Sequence, residues 1–181
     1  MNLFLVGYMA SGKTTFGSAL ASRLNLPFVD LDQYIEETEG KKISEIFNSH
    51  GEEGFRKIEK KCLLEICRNQ NCIIACGGGT PCYFDNMEVM NHQGVTVFLK
   101  ASVATLVRRL IEENASRPLV AGKSPDEIED FVKRQLSLRQ PFYSKAQIIF
   151  NSDFLDTEQE INQSIDCFLN ANPFVFSKPF I

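Results

Sequence analysis

Near the N-terminus, Gly7-Tyr8-Met9-Ala10-Ser11-Gly12-Lys13-Thr14 spells G-x-x-x-x-G-K-T, directly after the apolar run Leu3-Phe4-Leu5-Val6 and directly before a helical pattern. A strand that delivers such a loop, followed by a helix whose positive end faces it, holds phosphates on backbone N–H groups. Lys13 then reaches the β/γ-phosphates and the Thr14 hydroxyl sits on Mg²⁺. Gly7, Ala10, Ser11, Gly12, Lys13, Thr14 and Thr15 are the expected nucleotide contacts. A glycine-rich turn without a ligand is the bland alternative, and the strand–loop–helix context speaks against it.

Further along, Asp30-Leu31-Asp32 closes a short apolar segment, Phe28-Val29, and is predicted to end a second strand with both acids on one side. One carboxylate there can hold Mg²⁺ through water while the other accepts a proton from an attacking hydroxyl. Capping of the next helix is the structural alternative, and the two roles can coexist. Arg56 and Glu59 lie three apart and therefore share a helical face. A surface ion pair explains that spacing as well as function does. Arg139 could be a helix C-terminal charge and Arg117 a solvated one. Guanidinium groups also suit bidentate capture of a carboxylate or phosphate.

The elements that position these residues read as alternating strands and helices. Strands are predicted at residues 3–6, 28–32, 72–76, 95–99 and 148–150, most of them apolar on both faces. Phe16, Leu20 and Leu24 mark the stripe of a first helix, and a short second helix begins near Gln33 and stops at Gly40. Ile43 to Asn48 is a third, closed by His50-Gly51, before a longer helix carrying Phe55, Ile58, Cys62 and Ile66. A weakly patterned helix covers residues 85–93, and Ser102 caps one with Val103, Leu106, Val107 and Leu110 on its face. Ser124-Pro125-Asp126-Glu127 opens a helix expected to end near Arg139, before Pro141, and Thr157 to Glu160 opens the last. The tail from Asn172 onward is expected to pack without regular structure. The prediction is a three-layer α/β/α fold: a five-stranded parallel sheet with helices on both sides, in one domain over residues 1–181.

Composition narrows the classes. With 19 basic and 23 acidic residues the net charge is −4, which gives no basic excess for nucleic acid. No run approaches the roughly 20 apolar residues of a membrane span, and no secretory leader is read at the start. A cytoplasmic monomer is the expectation. The six cysteines show no C-x-x-C and no histidine at zinc spacing, so buried thiols in a reducing compartment are expected. His50 and His92 are isolated.

In sheets of this kind ligands bind at the carboxyl ends of the strands. The phosphate loop, the Asp30/Asp32 pair and Gly77-Gly78-Gly79 should therefore share one rim. The order G-x-x-x-x-G-K-T, D-x-D, Gly54-Phe55-Arg56-x-x-Glu59, G-G-G, Arg117-Pro118-Leu119 and Arg139-x-x-Phe142-Tyr143 closely resembles the shikimate kinases, small P-loop kinases of the nucleoside-monophosphate-kinase-like group. The resemblance runs from Leu3 to about Asn151.

That resemblance implies ATP as phosphate donor, Mg²⁺ and the acceptor shikimate. It makes Lys13 and Thr14 the phosphate and metal residues and Asp30 the acid that reaches the metal. It makes Asp32 the base toward the shikimate 3-hydroxyl. Arg56 and Arg139 become the clamp on the substrate carboxylate, with Glu59 orienting the first. Gly77, Gly78 and Gly79 lie beside the substrate, Gly78 and Gly79 as backbone donors, and Phe47 and Phe55 are its walls. Arg117 becomes the arginine of a mobile lid at about 112–124, and Arg109 the nearest match to the arginine stacked on adenine. The chain departs from the pattern in two places: Asn151-Ser152-Asp153-Phe154 stands where the family often has an arginine near adenine, and Cys76 where it more often has threonine or leucine. Two rivals remain: a gluconate kinase of the same fold, and a P-loop nucleotide sensor without an acceptor pocket.

Overall fold

The central strand β1 (Asn2–Val6) is buried along its whole length because both of its faces are covered. In the computed structural model, which describes residues 1–69, 71–112 and 122–176, its side chains alternate between two cores. Phe4 and Val6 enter one, while Leu3 and Leu5 enter the other. On one side of the strand lies β3 (Ile73–Ala75), flanked in turn by β2 (Phe28–Asp30). On the other lie β4 (Gly94–Lys100) and then β5 (Ile148–Asn151). Every pairing is parallel and the order is β2-β3-β1-β4-β5, the five-stranded parallel sheet expected.

Helices cover both faces. Helix α1 (Lys13–Leu24) and α7 (Glu158–Ala171) pack on the Leu3/Leu5 face through Phe16, Leu20, Ile165 and Phe168, where the rings of Phe16, Phe150 and Phe168 meet edge to face or tilted. The opposite face carries α2 (Leu31–Glu39), α3 (Ile43–Ile66), α4 (Asn86–Gln93), α5 (Val103–Glu112) and α6 (Pro125–Tyr143). The serine cap at Ser124 and the threonine cap at Thr157 both form, each with its reciprocal glutamate.

Three boundaries differ from expectation. Asp32 is not on a strand: β2 stops at Asp30, whose Oδ1 accepts from the N–H groups of Asp32 (3.1 Å) and Gln33 (3.4 Å) and so starts α2 one residue later. Helix α6 runs through Pro141 to Tyr143. A proline that close to the end removes a single backbone bond, and burial of Tyr143 holds the last turn. Part of the tail, Pro173–Phe176, forms a short helix, α8, with Val175 buried.

The expected break between two helices at Gly51 takes the form of a kink inside α3, where Gly51 adopts φ 67 and ψ −175. That region of backbone space is open essentially to glycine alone. Nothing lies within 4 Å of the position an added Cβ would take there. Gly51→Ala should therefore act through the backbone only, lowering unfolding free energy by about 1–3 kcal/mol, as read by urea denaturation.

Candidate active site

Because all strands run parallel, β1, β2 and β3 end at one edge, and the chain leaves each of them into a polar loop. Leaving β1, the loop turns through Ala10 (φ 61) and Gly12 (φ 88), and Gly12 forms the N-terminal boundary of α1. Lys13 folds back over the loop, its Nζ 3.0 Å from the Gly7 carbonyl and 2.8 Å from that of Tyr8. The Thr14 hydroxyl donates to Asp30 Oδ2 at 2.9 Å. A hydroxyl and a carboxylate oxygen together, beside a phosphate loop, are the hard donors Mg²⁺ takes when nucleotide phosphates complete its shell. The residues fit the ion.

A cleft of about 550 Å³ opens over this loop. Thr14, Thr15, Asp30, Asp32, Gly77 and Gly78 line it, and so do Arg109 and Asp156 at its far end. Asp32, in the first turn of α2, has its carboxyl pushed up to about 6. Burial is the main cause, and the neighbouring Asp30 and Glu59 carboxylates add to it against the opposing pull of Lys13 and Arg56. A carboxylate held near neutrality is suited to take a proton from an alcohol.

Of the two arginines that the resemblance sets on a substrate carboxylate, Arg56 is held by Glu59. This residue is only 1 % exposed, and its Oε2 accepts from Arg56 Nη1 at 2.9 Å. Arg56 also reaches Glu52 at 3.4 Å and lies over the Tyr83 ring, 4.1 Å from its centroid. Gly79 passes so close beneath the guanidinium that a Cβ there would stand 2.5 Å from Nη2, so a side chain at this position would push Arg56 from its place. Gly77 faces Asp32, Thr80 and Glu59 together: a Cβ on it would lie 2.8, 3.0 and 3.3 Å from their oxygens. Arg139 sits over Tyr8 at 5.5 Å, and a Cβ on Gly78 would come within 3.5 Å of Arg139 Nη1. Both arginines act on Glu52, which is held below the usual carboxylate range chiefly by the Tyr83 hydroxyl and then by their charges. Phe47 and Phe55 stack at 4.5 Å, with Phe55 5.0 Å from the Arg56 guanidinium.

Arg109 lies at the other end of the cleft and is 7 % exposed. Its Nε donates to Asp156 at 2.8 Å, and its remaining nitrogens donate to the carbonyls of Ala10, Ser152 and Asp153 at 3.0–3.2 Å. It thus straps the phosphate loop to the β5–α7 connection. Arg117 and most of the expected lid lie outside the described residues. Among the described residues no cluster of three metal-ligating side chains is present. None of the six cysteines forms a disulfide; burial pushes the thiols of Cys62, Cys67, Cys72, Cys76 and Cys82 up, which disfavours the reactive thiolate, whereas Cys167, expected to be buried like the rest, is exposed.

Several contributors escaped sequence reasoning. Tyr83 also donates to Glu52 at 2.5 Å, and Tyr143, part of the Arg139-x-x-Phe142-Tyr143 motif but given no role by it, donates to the Gly78 carbonyl at 2.5 Å. Tyr8 fills one of the unspecified positions of its own motif and Tyr83 follows the glycines by four residues, but neither spacing marks a partner. Asp156 is paired with Arg108 as well as Arg109 across 47 residues or more of chain, a distance no local pattern spans.

A phosphate loop after the first strand of this sheet, with Asp30 ending the second strand, Asp32 opening the helix that follows and two arginines near the glycine triplet, defines a P-loop phosphotransferase. The family is narrower. A family model described as shikimate kinase matches residues 9–169. The shikimate kinase of Bacteroides thetaiotaomicron is 47 % identical over 165 residues, covering 91 % of this chain and 94 % of that protein. A crystal structure of shikimate kinase from the same organism superposes with a TM-score of 0.90 at 44 % identity, over 96 % of this chain and 98 % of the other. Shikimate kinase from Acinetobacter baumannii in complex with shikimate gives a TM-score of 0.82 at 29 % identity, over 97 % and 95 %. The chain belongs to the shikimate kinase family.

The raised Asp32 carboxyl has a cost in stability. Its folded value of about 6 exceeds an ordinary aspartate's value of about 3.9, so the fold binds the proton more tightly than the unfolded chain does. Stability should fall as pH rises from about 4 to about 6, and the loss should persist above that window. Urea melts of Asp32→Asn should show the variant more stable than wild type at pH 7.5, by at most about 2–3 kcal/mol, with the gap closing toward pH 4.

Proposed function

We propose that the chain transfers the γ-phosphoryl group of ATP to the 3-hydroxyl of shikimate, giving shikimate 3-phosphate and ADP. The observation that supports this best is the placing of Asp32. Its half-buried carboxyl, raised to about 6, lines the same cleft as Lys13 and Thr14, while Gly77 brings it beside the Glu59–Arg56 pair. An acceptor whose ring carboxylate lies on Arg56 and Arg139 would thus present a hydroxyl near Asp32 and the phosphates.

In this reading the loop from Gly7 to Thr15 cradles the triphosphate, and Lys13 exchanges the Gly7 and Tyr8 carbonyls for phosphate oxygens. Thr14 and Asp30 would hold Mg²⁺, which neutralises charge on the phosphates when bound. Asp32 accepts the hydroxyl proton. Arg56 and Arg139 fix the carboxylate, Glu59 holds Arg56, Gly78 and Gly79 supply backbone N–H groups, and Phe47 and Phe55 close the apolar wall. Arg109, already strapped to the loop, offers its guanidinium face to the base. Arg117, outside the described residues, takes the lid role by motif alone. Most of the rate then comes from positioning and charge stabilisation. Residues 1–181 act as one domain and as a monomer in the cytoplasm, with residues 112–124 as lid. No helix among the described residues is long and apolar enough to cross a membrane.

The test is ADP release from Mg·ATP with shikimate, quinate or gluconate as acceptor. Shikimate should give strong turnover, and Asp32→Asn should lower kcat by about 10²–10⁴-fold. Gluconate-only turnover would instead favour the gluconate kinase rival, and ATP binding without acceptor dependence the sensor. Separately, Arg56→Met should raise the acceptor KM by about 10–100-fold, the worth of a hydrogen bond to a charged group, while the KM for ATP stays near wild type in steady-state assays.

A further inference from the structure

The three glycines run into a single 3₁₀ turn, Thr80–Cys82, whose first side chain is fully buried. Thr80 Oγ1 donates to Glu59 Oε1 at 2.6 Å, and the other oxygen of the same carboxylate accepts from Arg56. One turn further on, Asn86 donates from Nδ2 to the Thr80 carbonyl at 2.9 Å. Asn86 is wholly buried, and its Oδ1 has no partner among the described residues. A site that only filled space would be better served by an apolar side chain, because a buried unpaired acceptor is unfavourable. Its amide is held there for the one bond it makes.

We propose that Thr80 and Asn86 are positioning residues for the acceptor: Asn86 fixes the turn, Thr80 fixes the Glu59 carboxylate, and Glu59 presents Arg56 to the acceptor's carboxylate. With each oxygen of Glu59 committed to one donor, the side chain has a single orientation. Removing the Thr80 hydroxyl frees Oε1, which faces Asp32 across Gly77, and like-charge repulsion then turns Glu59 away from its place beneath Arg56. None of the hydrogen bonds that Thr80, Asn86, Glu59 and Arg56 make among the described residues reaches the phosphate loop, so the effect is expected on the acceptor side. The inference rests on the reading of Arg56 as a carboxylate clamp.

The experiment compares Thr80→Val, which keeps the shape and removes the hydroxyl, with Thr80→Ser, which keeps the hydroxyl, in the full chain. Thr80→Val should raise the shikimate KM by about 5–20-fold with the ATP KM within about twofold of wild type, and Thr80→Ser should restore it. An unmoved shikimate KM, a parallel rise in both KM values, or failure of serine to rescue would overturn the proposal and leave Thr80 a packing role. If valine prevents folding, Thr80→Ala carries the same comparison with the same outcomes. Acceptor dependence of the wild-type protein is measured first. Its absence sinks the clamp reading, and the positioning role with it, whereas its presence with an unmoved KM in the variants sinks the positioning role only.

Discussion

Parallel pairing of β1 between β3 and β4 is the constraint on which the rest depends. A strand flanked in parallel on both sides and covered on both faces favours apolar residues, and residues 2–6 are all buried, the one polar member, Asn2, donating to the Asn69 carbonyl and accepting from the Cys72 N–H. Parallel neighbours also deliver their loops to one edge. The chain therefore has no choice about where the phosphate loop, the Asp30 cap and the glycine triplet meet. Chemistry is gathered at that edge because backbone direction is shared, before any side chain makes a contact.

Gathering acids at one edge creates an electrostatic problem that the site uses. Burial raises the carboxyl of Asp32 most, the Asp30 and Glu59 carboxylates add to it, and Lys13 and Arg56 only partly counter them. Two of the three are satisfied by fixed donors: Asp30 by Thr14 and two backbone N–H groups, Glu59 by Arg56 and Thr80. The strain is concentrated on Asp32, the group assigned the proton. The same burial and repulsion that lower stability at this one carboxyl are what keep it basic.

How much of this was legible in the sequence follows from the range of each interaction. Apolar periodicity reports burial of local faces, so Phe16 and Leu20 of α1, or Leu106 and Leu110 of α5, could be placed from spacing alone. Glycine–lysine–threonine spacing reports a backbone conformation, again local. Asp32 was placed on a strand because alternation of acid and apolar residues fits either a strand end or a helix start. Only the bonds from Asp30 to the next two N–H groups decide between them. Pro141 looked like a stop because a proline's cost depends on how many turns follow, which no pattern reveals. Tyr83 over Arg56 and Arg109 against Asp156 are long-range pairings between residue types that occur on any surface.

The phosphate and acceptor halves of the cleft are not independent modules. Tyr8 contributes its carbonyl to Lys13 and its ring to the underside of Arg139, so one residue of the phosphate loop touches a group from each half. Burial pushes its hydroxyl up to about 12, so the ring stays neutral beneath a cation. Gly78 accepts from Tyr143, four residues beyond Arg139 on the same helix, and its backbone lies next to Gly7 and Met9 of the phosphate loop. The surroundings of Lys13 and of Arg139 therefore share two short pieces of backbone, at residues 7–9 and at Gly78.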